Sequence, residues 1–350
     1  MKRLLKVGII GVGGIGRDQH IPGWSKVPFA EIIAAADTSE AARHDAATKV
    51  PGIRTFSDWQ DLLKLGEIDI VDICTPNQTH CPIALAALSA GKHVICEKPL
   101  ATTASEVRQM RDAAVKAKRL IMTAQHFRFD ASSRRVKALI DGGLLGDIYY
   151  TRAQWLRRRL LPPRSTFIEK RLSGGGTAVD IGVHILDLAY WFLGAPKPVS
   201  VSAQIEVRQG LREDLSSAWG EWDRKLIDVE DFAAALIRFD NGTTLMLETS
   251  WLSFQPESET IRLQCFGSKA GLTWPDGVVV GETNKVPWTM RVEETPKNSA
   301  HHEEILQFAE AVRLGKPSPV SIEETLAVTT ILEAIYRSGT ERREVALEMS

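Results

Sequence analysis

The 350-residue sequence is poor in cysteine, carries no excess of either charge and contains no long apolar run. Its four cysteines, Cys74, Cys81, Cys96 and Cys265, lack the close pairing of metal-binding motifs and are too sparse for a disulfide scaffold. They read as reduced thiols, which predicts a cytoplasmic protein, and no metal is expected. No apolar stretch approaches the ~18–20 residues of a membrane span. The apolar start is broken at once by Lys6 and Gly8, so neither a membrane anchor nor a secretory signal is expected. With 43 Lys+Arg against 44 Asp+Glu, the formal net charge is −1. Nucleic acid and anionic membrane are therefore not expected as partners, because both need a concentrated basic surface. Internal repeats and low-complexity tracts are absent as well.

What remains is an ordinary globular composition, 44% hydrophobic and 25% charged, in a chain long enough for two domains. Apolar runs at 4–10, Glu31–Ala36, Ile68–Cys74, His93–Cys96 and Leu120–Thr123 have the character of strands buried on both faces. Helix-like segments lie between them, notably Ala41–Thr48, His80–Ala90 and Ala104–Ala117. This alternation predicts an α/β domain over 1–126, with a parallel sheet covered on both sides. From 127 the pattern changes to a helix at Ser132–Asp141, a long strand at Ile148–Leu160 and a helix at Thr177–Phe192. Strands then follow in succession at Val199–Val207, Val229–Phe239, Thr243–Trp251 and Thr260–Phe266, with Asp240-Asn241-Gly242 as a hairpin turn. Such a series predicts a mainly antiparallel sheet, and so an α+β domain over 127–350. Two helices close it, at Glu303–Arg313 and Ile322–Tyr336, the last a candidate to pack back on the first domain. His301 and His302 read as a loop before the first of these.

Four motifs carry chemistry. Gly11-Val12-Gly13-Gly14-Ile15-Gly16 directly follows the first strand. In a dinucleotide site these glycines permit a tight turn, close approach of a pyrophosphate and close helix–strand packing, and the helix N-terminus favours the phosphates. Asp37 ends the second strand, where a carboxylate binds the ribose hydroxyls and repels a 2′-phosphate. That favours NAD over NADP, although an ordinary glycine turn and a solvated strand-end Asp would look the same singly. Thr75-Pro76-Asn77, with His80 after it, closes another strand where an open α/β sheet binds ligands; Asn77 or Thr79 would equally serve as an N-cap.

Glu97-Lys98-Pro99 lies at a third strand end, where proline fixes an extended exit that aims Lys98 at the cleft mouth. The plain alternative is a surface lysine. Last comes Gly174-Gly175-Gly176 followed by Asp180, His184 and Asp187, which share one stripe of a regular helix opposite Ile181, Ile185, Leu188 and Phe192. Histidine beside a carboxylate suits proton transfer near neutral pH. A satisfied hydrogen-bonded pair in the core and a metal site at Asp180, His184 and Asp187 are the competing readings.

The glycine loop, the Glu97-Lys98-Pro99 triplet and the Gly-Gly-Gly…Asp180-x-x-x-His184 helix, in this order, resemble the Gfo/Idh/MocA oxidoreductase family over essentially the whole chain. The resemblance implies a Rossmann domain followed by a domain with a large open sheet. One face of that sheet lines the active site and the other packs on a neighbouring subunit, so a homodimer or homotetramer is expected. It implies NAD or NADP as cofactor, with Glu97 and Lys98 near it, and sugars or polyols as substrates. The catalytic set is then Lys98, Asp180 and His184. His184 takes the hydroxyl proton, Asp180 holds and polarises it, and Lys98 binds the substrate oxygen. Two rival expectations are NAD-assisted glycoside cleavage and a catalytically silent NAD-binding sensor. Arg128, Trp155, Arg157 and Phe167 are weaker candidates for substrate contact, Phe167 within a lid at Leu161–Ser173. Arg157 alternatively belongs to a solvated strand end.

Overall fold

The computed structural model describes residues 3–293 and 299–347. They fall into two compact units, Met1–Phe129 with Asn298–Leu326, and Asp130–Lys297 with Ala327–Ser350. The chain therefore passes from one unit to the other three times, where the sequence pattern suggests a single boundary after residue 126.

The first unit is built on a six-stranded sheet in the order β3-β2-β1-β4-β5-β6. Its strands are β1 (Leu5–Ile10), β2 (Ala30–Ala36), β3 (Arg54–Phe56), β4 (Ile70–Ile73), β5 (His93–Cys96) and β6 (Ile121–Thr123), all parallel. This is the doubly wound Rossmann order, with a crevice where the order reverses between β1 and β4. Five of the strands match the apolar runs. The edge strand β3, Arg-Thr-Phe, has no such run and escapes the sequence reading.

Both faces of this sheet are buried, which is why its strands read as continuous rather than alternating. Ile10, Ala36, Ile73 and Cys96 pack with the helices His80–Ser89 and Ala104–Ala117. Ile9, Ala35 and Ile95 pack with Trp24, Ile305 and Phe308. The helix Ala300–Leu314 thus belongs to the Rossmann sheet in spite of its late place in the chain. Ser299 caps it by accepting the His302 N–H, so His301 and His302 lie in its first turn and not in a loop.

The second unit carries a nine-stranded sheet in the order β14-β13-β12-β11-β7-β10-β9-β8-β15. The central strands are β7 (Ile148–Arg157), β9 (Phe232–Phe239), β10 (Thr244–Ser250) and β11 (Glu259–Gly267), flanked by β8 (Pro198–Glu206) and β12 (Ala270–Trp274). Beyond them lie β13 (Val278–Thr283), β14 (Val286–Arg291) and β15 (Val345–Ala346). The expected hairpin at Asp240–Gly242 joins β9 to β10. Every pairing is antiparallel except β7 with β10, because β7 enters mid-sheet between two strands that run opposite to each other. β7 stops at Arg157, short of the expected Leu160.

Alternate residues of this sheet, among them Ala153, Leu247 and Leu263, are buried beneath the helix Val183–Phe192, whereas Tyr150, Arg152, Met246 and Glu248 stay partly exposed on the other face. The stretch expected as one helix from Thr177 instead opens with a π-helical turn, Ala178–Gly182, before the α-helix begins. Such one-turn insertions occur often at functional sites. Among the described residues, no helix is long and apolar enough to cross a membrane.

Candidate active site

In the first unit, the glycine loop sits where β1 and β4 part. Gly11 has φ +89, and a Cβ there would lie 2.7 Å from the Cys74 carbonyl, so the ends of β1 and β4 press together. A Cβ at Gly16 would lie 2.1 Å from the Gly11 carbonyl oxygen, which sets how closely the following π-helical turn, Gly16–His20, approaches the strand. Gly13 is different: its Cβ would meet only Asp37 Oδ2, at 4.0 Å. The loop is thus tight behind and open in front, beside Asp37, which is the shape a pyrophosphate and ribose need.

Asp37 is fixed by the N–H groups it accepts, from Val12 at 2.9 Å and from Ser39 at 2.9 Å. Arg43 directs Nη1 to the backbone carbonyls of Asp37 and Thr38, at 2.7 and 3.0 Å. These residues fit a dinucleotide with a free ribose diol.

At the end of β4, Thr79 Oγ1 lies 2.8 Å from Thr75 Oγ1 and 2.7 Å from the Pro76 carbonyl, so its side chain braces this turn and does not cap the helix. Asn77 opens the 3-10 turn and is partly exposed. His80, expected at the cofactor, is fully buried, its ring nitrogens 2.8 Å from the carbonyls of Pro99 and of Thr75. Burial lowers its pKa, against the pull of the two carbonyls. It ties the two loops together from behind.

Lys98 is half-buried, while Glu97 turns inward, its carboxylate 3.0 Å from His20 Nε2. Arg128 is 3% exposed and ion-paired with Glu324, an interior anchor of the first unit and not a group at a cleft mouth.

In the second unit, the triple glycine serves close packing. A Cβ on Gly175 would lie 2.0 Å from Tyr336 Oη, and one on Gly176 would lie 1.9 Å from the Glu230 carbonyl oxygen. The Glu230 carboxylate, 5% exposed, accepts N–H groups from Gly176 at 3.0 Å and Ala178 at 2.9 Å and the Tyr336 hydroxyl at 2.8 Å. A carboxylate therefore caps the helix start that carries Asp180 and His184.

Burial lifts the Glu230 pKa from 4.5 to about 6, against the pull of those donors. The folded protein holds this proton more tightly than the unfolded chain. Its contribution to stability is full below pH 4.5 and is lost as pH rises through about 6. Glu230→Gln is expected to abolish that slope. It should also cost roughly 1–3 kcal/mol, because its amide NH₂ faces a backbone N–H. Urea unfolding of both proteins at about pH 5 and about pH 7 measures both effects.

Asp180 accepts Trp251 Nε1 at 3.1 Å and lies 3.9 Å from Arg157 Nη1. The Arg157 guanidinium lies between two indole rings, 5.2 Å from the Trp155 centroid and 4.8 Å from that of Trp219. Trp155 Nε1 and Arg157 Nε both donate to Glu259 Oε1, at 2.7 and 2.8 Å. His184 is 6% exposed and packs against Trp155 with ring centroids 5.7 Å apart. Asp187 is 1% exposed, on the core side of the helix. Phe167 lies partly exposed in a short helix, Ser165–Ile168, within the expected lid segment.

The second unit thus gathers Asp180, His184, Trp155 and Arg157, as their motifs suggest. It adds Trp219, Glu230, Trp251, Glu259 and Tyr336, which no local pattern marks. Only the triple glycine hinted that something must lie close.

Comparison with known proteins agrees with this architecture. Residues 5–125 match the oxidoreductase family described as having an NAD-binding Rossmann fold, and residues 133–273 match the GFO/IDH/MocA C-terminal domain. The chain is 32% identical to D-glucoside 3-dehydrogenase of Escherichia coli K12, over 96% of this chain and 95% of that one. It is 33% identical to levoglucosan dehydrogenase of Pseudarthrobacter phenanthrenivorans, over 70% and 67% respectively. Among solved structures, GenD2 from gentamicin A biosynthesis, in complex with NAD, superposes with TM-score 0.81 at 27% identity, covering 100% of this chain and 98% of that one. The chain belongs to the Gfo/Idh/MocA family of NAD-binding oxidoreductases.

Proposed function

We propose that the protein is an NAD-dependent dehydrogenase that oxidises a hydroxyl-bearing carbon of a neutral sugar, with D-glucosides and levoglucosan as the first substrates to try. Gly11, Val12, Gly13, Gly14, Ile15 and Gly16, with Asp37, Thr75, Pro76 and Asn77, hold the cofactor. NAD, when bound, supplies the two-electron acceptor. His184 takes the proton of the substrate hydroxyl, Asp180 holds that hydroxyl, and Lys98 donates to the oxygen as it becomes a carbonyl. Trp155 and Phe167 supply apolar surface for the sugar ring.

The observation that carries the choice of a neutral substrate is the state of Arg157. Its charge is met by Glu259 at 2.8 Å and by Asp180 at 3.9 Å. Two carboxylates against one guanidinium leave this surface net negative and repel an acidic sugar. A stereochemically diverse panel of neutral sugars, polyols, glucosides and uronic acids, run with NAD and with NADP, tests the reading. NADH formation from neutral sugars is the expected outcome. Preference for uronic acids, or sugar release without net NADH, would replace it.

The partly exposed sheet face bearing Tyr150, Arg152, Met246 and Glu248 supports a homodimer or homotetramer formed through that sheet. Sedimentation equilibrium counts the copies. Four free cysteines, three of them buried, support a reducing cytoplasmic setting.

A further inference from the structure

Beneath Lys98 the first unit contains a buried polar array that the proposed chemistry does not use. His20, which ends the π-helical turn after the glycine loop, is wholly buried, as is Asp72 of β4. His20 Nδ1 lies 2.8 Å from Asp72 Oδ2, and His20 Nε2 lies 3.0 Å from Glu97 Oε1. Asp72 Oδ2 also accepts Trp24 Nε1 at 2.7 Å. The second Glu97 oxygen accepts the backbone N–H of Lys98 at 3.1 Å.

His20, Asp72 and Cys74 present ligand-type atoms within 4.8 Å of one another, which raises the question of a metal. Both imidazole nitrogens, however, face a carboxylate oxygen at hydrogen-bonding distance. A ring placed so must carry a proton on each nitrogen and has no lone pair for an ion. Against the cost of burial, Asp72 raises the His20 pKa well above its usual range, and against the same cost the hydrogen bond with His20 holds Glu97 down at about 2. One imidazolium between two carboxylates leaves a net charge of −1 beside the Lys98 ammonium. Burial drives the carboxyl pKa of Glu304, fully buried nearby, well up.

We propose that His20, Asp72 and Glu97 are positioning residues for Lys98: the imidazolium locks the Glu97 side chain, and Glu97 in turn fixes the Lys98 backbone and supplies its counter-charge. The array links the glycine loop, the end of β4 and the end of β5, so it joins the cofactor-binding turn to the lysine at the reacting end. This inference rests on the reading that Lys98 acts on the substrate.

The test uses the full-length protein and the best substrate of the panel. A misplacement near 1 Å in a catalytic group costs about 10²-fold. His20→Gln and Glu97→Gln are therefore expected to lower kcat by roughly that factor, with KM and the NADH Kd changed less than about threefold. Asp72→Asn, which leaves Glu97 pinned, should lose less. Independently of activity, nitrogen NMR of histidine-labelled wild type at about pH 8 should show one imidazole protonated on both nitrogens, and that signal should vanish in His20→Gln. A neutral His20 ring overturns the array, as does wild-type kcat in Glu97→Gln when Lys98→Ala is inactive. An active Lys98→Ala instead overturns the reading of Lys98 itself, which keeps the two failures apart. If His20→Gln does not fold, Glu97→Gln and the wild-type ring signal still decide.

Discussion

His184→Ala is expected to lower kcat by about 10²–10⁴-fold, the range associated with losing a positioned acid–base group. NADH binding should be unchanged, because the residue lies outside the unit that carries the glycine loop. The imidazole is 6% exposed on a helix whose other residues are almost all apolar, so packing fixes its position. The Trp155 ring of β7, its centroid 5.7 Å away, covers it, and imidazole is the side chain most often used to take a proton near neutral pH.

Truncation to alanine also leaves a void, so His184→Asn, closer in volume, belongs in the same experiment. Steady-state kinetics together with NADH fluorescence titration decides the matter. Turnover within threefold of wild type in both variants would remove His184 from the mechanism.

Gly16→Ala is the second large effect, and it falls on cofactor binding. The added methyl would sit 2.1 Å from the Gly11 carbonyl oxygen, a backbone atom that cannot swing aside as a long side chain does. Relief requires the π-helical turn Gly16–His20 to move off β1, and overpacking of this kind costs about 1–3 kcal/mol. Most of that cost falls where the turn meets a pyrophosphate, so the NADH Kd should rise about 10-fold or more. Gly13→Ala is the instructive contrast: its methyl would meet only Asp37 Oδ2, at 4.0 Å, and would stand where a pyrophosphate has to approach. Its thermal stability should match wild type while NADH binding falls. Equal NADH affinity in both variants and wild type would show that the dinucleotide does not lie against this loop.

Much of this protein was legible before its structure. Each apolar strand of the first unit is bounded by turn residues, and buried parallel strands announce themselves by lacking alternation. The glycine loop and Asp37 depend on one strand, one turn and the next strand, all within about 30 residues, so sequence spacing captures them. The helix Ala104–Ala117 starts where it was expected, and the structure adds a capping box of Thr103 and Glu106 at its start. Strands β12 to β14 were missed because Gly271, Pro275, Gly277, Gly281 and Pro287 interrupt their apolar residues, so no run is long enough to mark a strand. The π-helical turn at Ala178–Gly182 was missed because a single-turn insertion barely alters hydrophobic spacing.

From sequence alone came the fold class, the order of the two architectures, the glycine loop and the candidates Lys98, Asp180 and His184. All of these are written in contiguous segments, where backbone propensity and periodicity act. Tertiary structure decided what surrounds them. It returned the helix Ala300–Leu314 to the Rossmann sheet and buried Arg128 against Glu324. It turned Glu97 inward onto His20, 77 positions earlier. It joined Trp155 to Glu259 across 104 positions and Gly176 to Tyr336 across 160. A hydrogen bond needs its two atoms within about 3 Å and is indifferent to their distance along the chain. Which buried charge meets which partner is therefore settled only when the whole core has closed.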